Sequence, residues 1–217
     1  MNNNFFLSEF AKKSRFHWDF INNIEHLEKW LELSENFFSF EKKSLSLKKN
    51  EDQIPKIIHQ IWIGPKKIPN KYLLWGKSWK KLNPDWDYKF WTDSEIEKIV
   101  LINKKYYDKS KSIGYKSDIA RYEILKQFGG IYVDTDFECI RPIPEDFINF
   151  DFVSCTVFSN EPEVNNAIMM SKINSKVINK IINNIKFENK YINPMKTINA
   201  SGATILTDQY FSLNNKE

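Results

Sequence analysis

Residues 115–138 read YKSDIARYEILKQFGGIYVDTDFE, a helical pattern, a glycine pair and a short apolar run that ends in two aspartates. Ser117 predicts an N-cap, because its hydroxyl can accept a bond from an orphan amide of the first turn. Ala120, Ile124 and Phe128 recur every four residues, and Leu125 beside Ile124 widens the stripe. Gly129 and Gly130 supply a left-handed stop. Ile131, Tyr132 and Val133 then read as a buried strand carrying Asp134 and Asp136 at its C-terminal end.

Residues two apart on a strand share a face, so Asp134 and Asp136 are expected to point the same way at a sheet edge. Ligand sites of open α/β sheets lie at that edge. Two carboxylates side by side repel each other unless a cation sits between them. Mg²⁺ and Mn²⁺ are commonly held by one or two carboxylates together with substrate phosphates. The pattern therefore suggests a metal–diphosphate site at Asp134 and Asp136. An Asp-x-Asp triplet alone is more often a turn or a solvated face, and the preceding strand and helix raise it above that. Asp118 and Arg121, three apart on the helix, read either as a surface ion pair or as groups for sugar hydroxyls and phosphate oxygens.

Outward from this stretch, residues 56–64 (KIIHQIWIG) are nearly continuous apolar sequence, as expected of a strand covered on both faces. His59 within it reads as a buried, hydrogen-bonded imidazole. Leu74, Trp75, Ser78, Trp79 and Leu82 follow helical spacing, and Trp86, Tyr88 and Phe90 alternate as a strand over 86–91. Ser94 and Glu97 form a capping-box pattern for a helix that turns Ile96, Ile99 and Val100 inward. Arg141-Pro142-Ile143-Pro144 is rigid and non-helical. Residues 152–158 read as a strand, 161–167 as a polar loop, and Ser175 as the cap of a helix burying Val177, Ile178, Ile181, Ile182 and Ile185. Strand–helix alternation predicts an α/β fold with a mainly parallel sheet flanked by helices.

The 217 residues suit one domain with a small appendage. Residues 1–50 read as an N-terminal helical segment and linker: Phe20, Ile24, Leu27 and Leu31 make its stripe, Glu25, Glu28, Glu32 and Glu35 an acidic face, and 44–53 is polar. Residues 51–217 form the main domain. The net charge of +4 is mild and interspersed, which argues against nucleic acid and leaves only a weak attraction to anionic membranes. Phe37, Phe38 and Phe40 together form a candidate interface patch. Cys139 and Cys155 make no disulfide framework, and Cys155, in an apolar run, is expected to be buried. The N-terminus lacks a signal-peptide pattern, and no apolar run reaches the ~20 residues that span a bilayer. The expected setting is cytoplasmic, with peripheral contact at the inner membrane face left open.

The series Ser117-Asp118-x-x-Arg121-Tyr122-x-x-Leu125-x-x-x-Gly129-Gly130-Ile131-Tyr132-x-Asp134-x-Asp136 resembles the signature of the sugar-binding DXD glycosyltransferases, family 32. These include fungal-type α-1,6-mannosyltransferases and bacterial capsular polysaccharide transferases, with the large clostridial glucosylating toxins as distant relatives. Residues 55–64 resemble the family's first strand, Asn165-Asn166 its acceptor-side pair, and 201–207 a further family stretch with Ala203 in place of its usual Pro. The resemblance covers roughly residues 54–207.

It implies a nucleotide-diphospho-sugar transferase A-type fold and a retaining, metal-dependent hexosyltransferase. The donor implied is a UDP- or GDP-sugar, and the acceptor a glycan or lipid-linked saccharide of surface polysaccharide synthesis. It further implies Mn²⁺ or Mg²⁺ on Asp134 and Asp136, with Asp134 meeting the donor through that ion, the sugar on Asp118, phosphate or sugar oxygens on Arg121, and the base on Trp62, whose alternative is a place in the core. No side chain is an obvious covalent nucleophile, which favours front-face displacement. Relatives generally continue beyond the last matched stretch, so a shortened, non-catalytic nucleotide-sugar-binding or scaffolding remnant is the alternative. Haloacid-dehalogenase-type phosphatases also place Asp-x-Asp after a strand, but early in the domain and followed by Gly or Thr, whereas Phe137 follows here.

Overall fold

The computed structural model describes Glu32 and residues 52–158, 162–187 and 200–214. The stripe expected between Phe20 and Leu31, the Phe37, Phe38 and Phe40 patch and most of the expected linker lie outside the described residues. In chain order the elements are β1 (Ile57–Ile61), α1 (Asn70–Leu82), β2 (Asp87–Trp91), α2 (Asp93–Ile96), α3 (Lys104–Lys109) and α4 (Ile113–Phe128). Then follow β3 (Gly130–Val133), a 3₁₀ turn (Glu145–Asn149), β4 (Phe152–Phe158), β5 (Pro162–Ser171), α5 (Lys176–Asn184) and α6 (Ala203–Asn214).

The strands form one sheet in the order β2-β1-β3-β5-β4. β1 pairs in parallel with β2 and β3, whereas β5 runs antiparallel to both β3 and β4. Four strands therefore point one way and only β5 is reversed, so the mainly parallel α/β expectation holds. One face packs Ile61, Tyr132 and Met169 against α4, with α5 and α6 completing that layer. The other face packs Ile58, Ile131, Val133 and Met170 against Trp79 of α1 and Trp86.

Helix α4 is buried nearly all round from Asp118 to Leu125, and it begins a turn earlier than expected. Ser112, not Ser117, is the cap, accepting from the Tyr115 amide at 3.3 Å. Tyr115, Ile119 and Tyr122 extend the apolar stripe toward the N-terminus, and all are fully buried. Gly129 ends the helix at φ 60°, its amide still bonded to the Leu125 carbonyl. Gly130 opens β3 at φ 94°, and a Cβ there would lie 2.4 Å from the Ile57 carbonyl oxygen. Both glycines are thus required by backbone geometry, and the second by the close approach of β1.

His59 is fully buried on β1. The Trp91 indole N–H can only donate, so at 3.1 Å from Nδ1 it fixes that nitrogen as the acceptor. Nε2 then carries the proton and donates to the Gly129 carbonyl at 2.9 Å. The ring joins β1, β2 and the end of α4, as a neutral group. Burial pushes its pKa down to about 4 from 6.5; the Gly129 bond opposes this and Lys89 adds to it.

Several local expectations give way to tertiary packing. Of the expected 161–167 loop, residues 162–167 are instead the first part of β5, whose polar Asn165 and Asn166 had masked its strand pattern, and residue 161 lies outside the described residues. Helix α2 is capped at Thr92 without the Ser94–Glu97 box, because it is only four residues long. Leu74 of α1 and Val100 are exposed at 61% and 81%. On α1, Gly76 and Trp79 form the fully buried surface instead. Cys155 is exposed and Cys139 is the buried thiol, since β4 is an edge strand. Ser175 stands at the head of α5, but its hydroxyl bonds Asp151 rather than a helix amide. Among the described residues no helix is long and apolar enough to cross a membrane.

Because the folded pKa of His59 lies below its unfolded value, its contribution is complete above pH 6.5 and is lost as pH falls toward 4. Denaturant unfolding is expected to show a loss of about 3 kcal/mol over that window, absent in His59→Gln. Gly130→Ala should destabilise by roughly 2 kcal/mol or more in the same assay, from a disfavoured φ and the Ile57 contact.

Candidate active site

β1 and β3 are adjacent and parallel, so Trp62 and Asp134, each just past its strand, leave the same C-terminal sheet edge. The Trp62 amide still bonds the Trp91 carbonyl, and Gln60 Nε2 reaches the Asp134 carbonyl at 3.2 Å. Beyond Val133 the chain turns, with the Phe137 amide bonded to the Asp134 carbonyl at 3.2 Å. Strand alternation therefore stops at Asp134. Asp136 sits in the turn and is exposed, while Asp134 is half-buried, so the two do not share a strand face as expected.

Arg121 organises what lies beneath. The residue is 6% exposed, and its guanidinium reaches three separate pieces of chain. Nη2 pairs with Asp118 Oδ1 at 3.2 Å, and Nη1 with Asp134 Oδ1 at 3.4 Å. Nη1 also donates to the Asn166 carbonyl at 2.8 Å, and Nε and Nη2 reach the carbonyl and hydroxyl of Ser117 at 3.4 Å. The planar group lies 4.6 Å from the Tyr132 ring centroid. Three of its five N–H groups thus donate hydrogen bonds to Ser117 and Asn166, and the two carboxylates lie at ion-pair distance. Asp118 and Arg121 are accordingly a buried pair and not a surface one.

Asp118 has one more supporting layer. Oδ1 accepts from Asn166 Nδ2 at 3.0 Å, and Oδ2 from the Ser201 hydroxyl at 2.8 Å. Asn166 Nδ2 also bonds the Tyr122 hydroxyl, which donates to the Ser201 carbonyl at 2.9 Å. A carboxylate offers about four lone-pair positions, so one remains on Asp118. Burial raises its pKa, against the lowering pull of Arg121 and Ser201. Burial also works against the Arg121 charge, but Tyr132, Asp134 and Asp118 outweigh it and push that pKa up. The Tyr132 hydroxyl donates to Asp134 Oδ1 at 2.5 Å, and burial holds its pKa well above the usual range.

A β-bulge delivers Asn166. Ser154 pairs with Met169 and the next residue, Cys155, with Asn165, so Asn166, Ala167 and Ile168 have no partner on β4. The Ser154 hydroxyl closes the gap, bonding the carbonyls of Asn165 and Ile168. The displaced strand turns the Asn166 carbonyl toward Arg121 and its side chain toward Asp118.

Of the residues expected from sequence, Asp118, Arg121 and Asp134 meet in one network, and Asp136 and Trp62 flank it. Trp62 is half-buried, with Nε1 donating to the Lys66 carbonyl at 2.6 Å and its ring 6.0 Å from Tyr72. Tyr132, Asn166 and Ser201 complete the network without having been assigned to it. Strand alternation from Asp134 could have found Tyr132; nothing in local spacing points to the other two. A cavity of about 210 Å³ lined by Trp79, Ile131, Ile143, Val153, Ile168 and Met170 lies on the opposite sheet face and holds none of these groups.

One guanidinium against Asp118, Asp134 and Asp136 leaves two negative charges. Asp136 has no ion pair or hydrogen bond among the described residues. No cluster of three or more His, Cys, Asp or Glu exists among those residues. Two hard oxygen donors with an uncompensated charge fit a Mg²⁺ or Mn²⁺ ion completed by phosphate and water.

Residues 69–153 match the family model described as a glycosyltransferase sugar-binding region containing DXD motif. An uncharacterized glycosyltransferase of Acanthamoeba polyphaga mimivirus is 34% identical over 143 residues, 61% of this chain and 55% of that protein. Inositol phosphoceramide mannosyltransferase 3 of Schizosaccharomyces pombe is 37% identical over 94 residues, 42% of this chain and 26% of that protein. The chain thus spans about half of the first relative and a quarter of the second. Among solved structures, the PaToxG glycosyltransferase superposes with a TM-score of 0.60 at 19% identity, over 86% of this chain and 79% of that one. At that identity the likeness concerns the fold, which is the transferase A type expected. The resemblance read from the sequence holds.

Arg121→Met should destabilise the domain by about 3–5 kcal/mol, as loss of one partner of a buried charge network does. Chemical denaturation measures it. Arg121→Lys should recover less than half of the loss, because an ammonium cannot serve the same fork.

Proposed function

We propose that this chain, whose residues 69–153 match the model of a glycosyltransferase sugar-binding region containing DXD motif, transfers a hexose from a UDP- or GDP-sugar to a glycan or lipid-linked saccharide, with retention. The observation that carries this reading is the buried Arg121 network, which holds Asp118 and Asp134 together at the sheet edge beside the exposed Asp136. Surface polysaccharide synthesis at the cytoplasmic side of a membrane is the setting we propose. Residues 1–50 are proposed as a separate helical segment.

Asp134 and Asp136 would hold Mn²⁺ or Mg²⁺, which when bound neutralises charge on the departing diphosphate. Asp134 comes to that task already aligned by Arg121 and the Tyr132 hydroxyl. Arg121 acts through its buried charge, beside Asp118 and Asp134, and offsets negative potential where the diphosphate develops. Asp118 keeps one lone pair for a sugar hydroxyl, and its orientation is fixed by Asn166 and Ser201. Trp62 offers an aromatic face to the base, steadied by its bond to Lys66. With Asp134 and Asp136 assigned to the ion and no other obvious covalent nucleophile among the described residues of the site, the acceptor hydroxyl attacks on the face from which the diphosphate leaves.

Thermal unfolding with nucleoside diphosphates, with and without Mn²⁺, tests the site, and product anomeric configuration tests the stereochemistry. A ligand at ~100 times its Kd stabilises by about 2.7 kcal/mol, roughly 5–10 °C for a domain of this size. The shift should require Mn²⁺, favour one base and vanish in Asp136→Asn, whose own melting temperature stays unchanged because Asp136 is exposed. Absence of any shift would favour the non-catalytic remnant, and an inverted product would overturn the front-face mechanism.

A further inference from the structure

Helix α1 carries a surface that glycosyl transfer does not use. Between Asp52 and Asp85 the chain has seven lysines and no acidic residue. Six of those lysines, Lys66, Lys67, Lys71, Lys77, Lys80 and Lys81, lie in or just before α1, and all are exposed. At 3.6 residues per turn, Leu73, Lys80, Lys77, Lys81 and Leu74 fall on roughly a third of the helix circumference. The opposite side carries the buried Gly76 and Trp79, which face the protein. Leu73, between Lys80 and Lys77, and Leu74, beside Lys81, are 42% and 61% exposed.

We propose that this face of α1 docks on an anionic lipid bilayer. Lysines supply attraction to acidic headgroups and keep their charged ends in water while their stems lie along an apolar surface. The two leucines then enter the headgroup–acyl boundary. Charge complementarity selects the partner: a lysine stripe without one acidic residue attracts anionic surfaces, gains nothing from neutral ones and repels cationic ones. An acidic protein would leave both leucines without the aromatic or arginine anchors that normally centre a protein interface. Nucleic acid would give them no apolar counterpart.

The position of α1 carries the idea further. Trp79 Nε1 donates to the Phe137 carbonyl and the Cys139 amide to the Ser78 hydroxyl, so the helix is pinned to the segment directly after Asp136. That segment continues into Ile140, 80% exposed, and the exposed Arg141. Tyr72, from the first turn of α1, packs on Trp62. A bilayer held by α1 therefore lies beside the candidate site, where a lipid-borne substrate would arrive. The proposal rests on this surface alone and stands or falls independently of the transfer reaction.

The experiment is co-sedimentation of the full chain with phosphatidylcholine vesicles, with and without roughly a third phosphatidylserine. Binding should require phosphatidylserine and weaken with salt. The pairs Leu73→Ser with Leu74→Ser, and Lys77→Glu with Lys81→Glu, should each reduce it on the order of tenfold, with unchanged circular dichroism and melting temperature. Lys105→Glu with Lys109→Glu, on α3, should leave it intact. Equal binding to both vesicle types, no binding, or wild-type binding by the leucine pair would each overturn the proposal; the last would place the lipid contact elsewhere on the chain.

Discussion

A single buried guanidinium holds this site together. A charge in the protein interior is tolerated only when paired and hydrogen-bonded, and Arg121 meets that demand through Asp118 on its own helix, Asp134 past β3 and the Asn166 carbonyl on β5. Each partner belongs to a different element, so satisfying one side chain fixes the relative placement of a helix, a strand end and a bulge. The second tier, Asn166, Ser201 and Tyr122, does the same for Asp118.

The scaffold beneath is set by a comparable device of neutral groups. His59 links β1 to Trp91 of β2 and to the Gly129 carbonyl where α4 ends. It therefore clamps the turn that aims β3, and with it Asp134, at the sheet edge. The glycine pair permits that turn, because neither a left-handed φ nor the Ile57 carbonyl leaves room for a side chain at Gly130. Charge defines the edge, and a desolvated neutral imidazole defines the route to it.

Much of this was legible in residue order. Strand β1, the run from α4 through the glycines to β3, and the buried His59 follow from apolar continuity, helical spacing and glycine chemistry. Asp118, Arg121 and Asp134 could be named from their positions on those elements. What sequence hid was whatever depended on distant partners. Ser117 imitates a cap that Ser112 provides, because Tyr115 extends the buried stripe. The polar Asn165–Asn166 pair disguises β5, because a bulge turns the Asn166 side chain to the site and the Asn165 side chain to the Ala167 amide. Ser201 is 83 residues from Asp118, and no local pattern connects them. Asp136 left the expected face because the turn begins one residue before strand alternation would have placed it.

The sheet order has a consequence for how the chain can be divided. The parallel part, from β1 to β3, is built before residue 134, and β5 enters it between β3 and β4 from beyond residue 161. A fragment ending at Ile148 would retain Trp62, Asp118, Arg121, Asp134 and Asp136, every residue by which the motif is recognised. It would still lack the Asn166 and Ser201 groups that receive Arg121 and orient Asp118. In this chain the recognisable motif and the working geometry are separable inheritances: the first is carried by one contiguous stretch, and the second exists only once the antiparallel strand has been added.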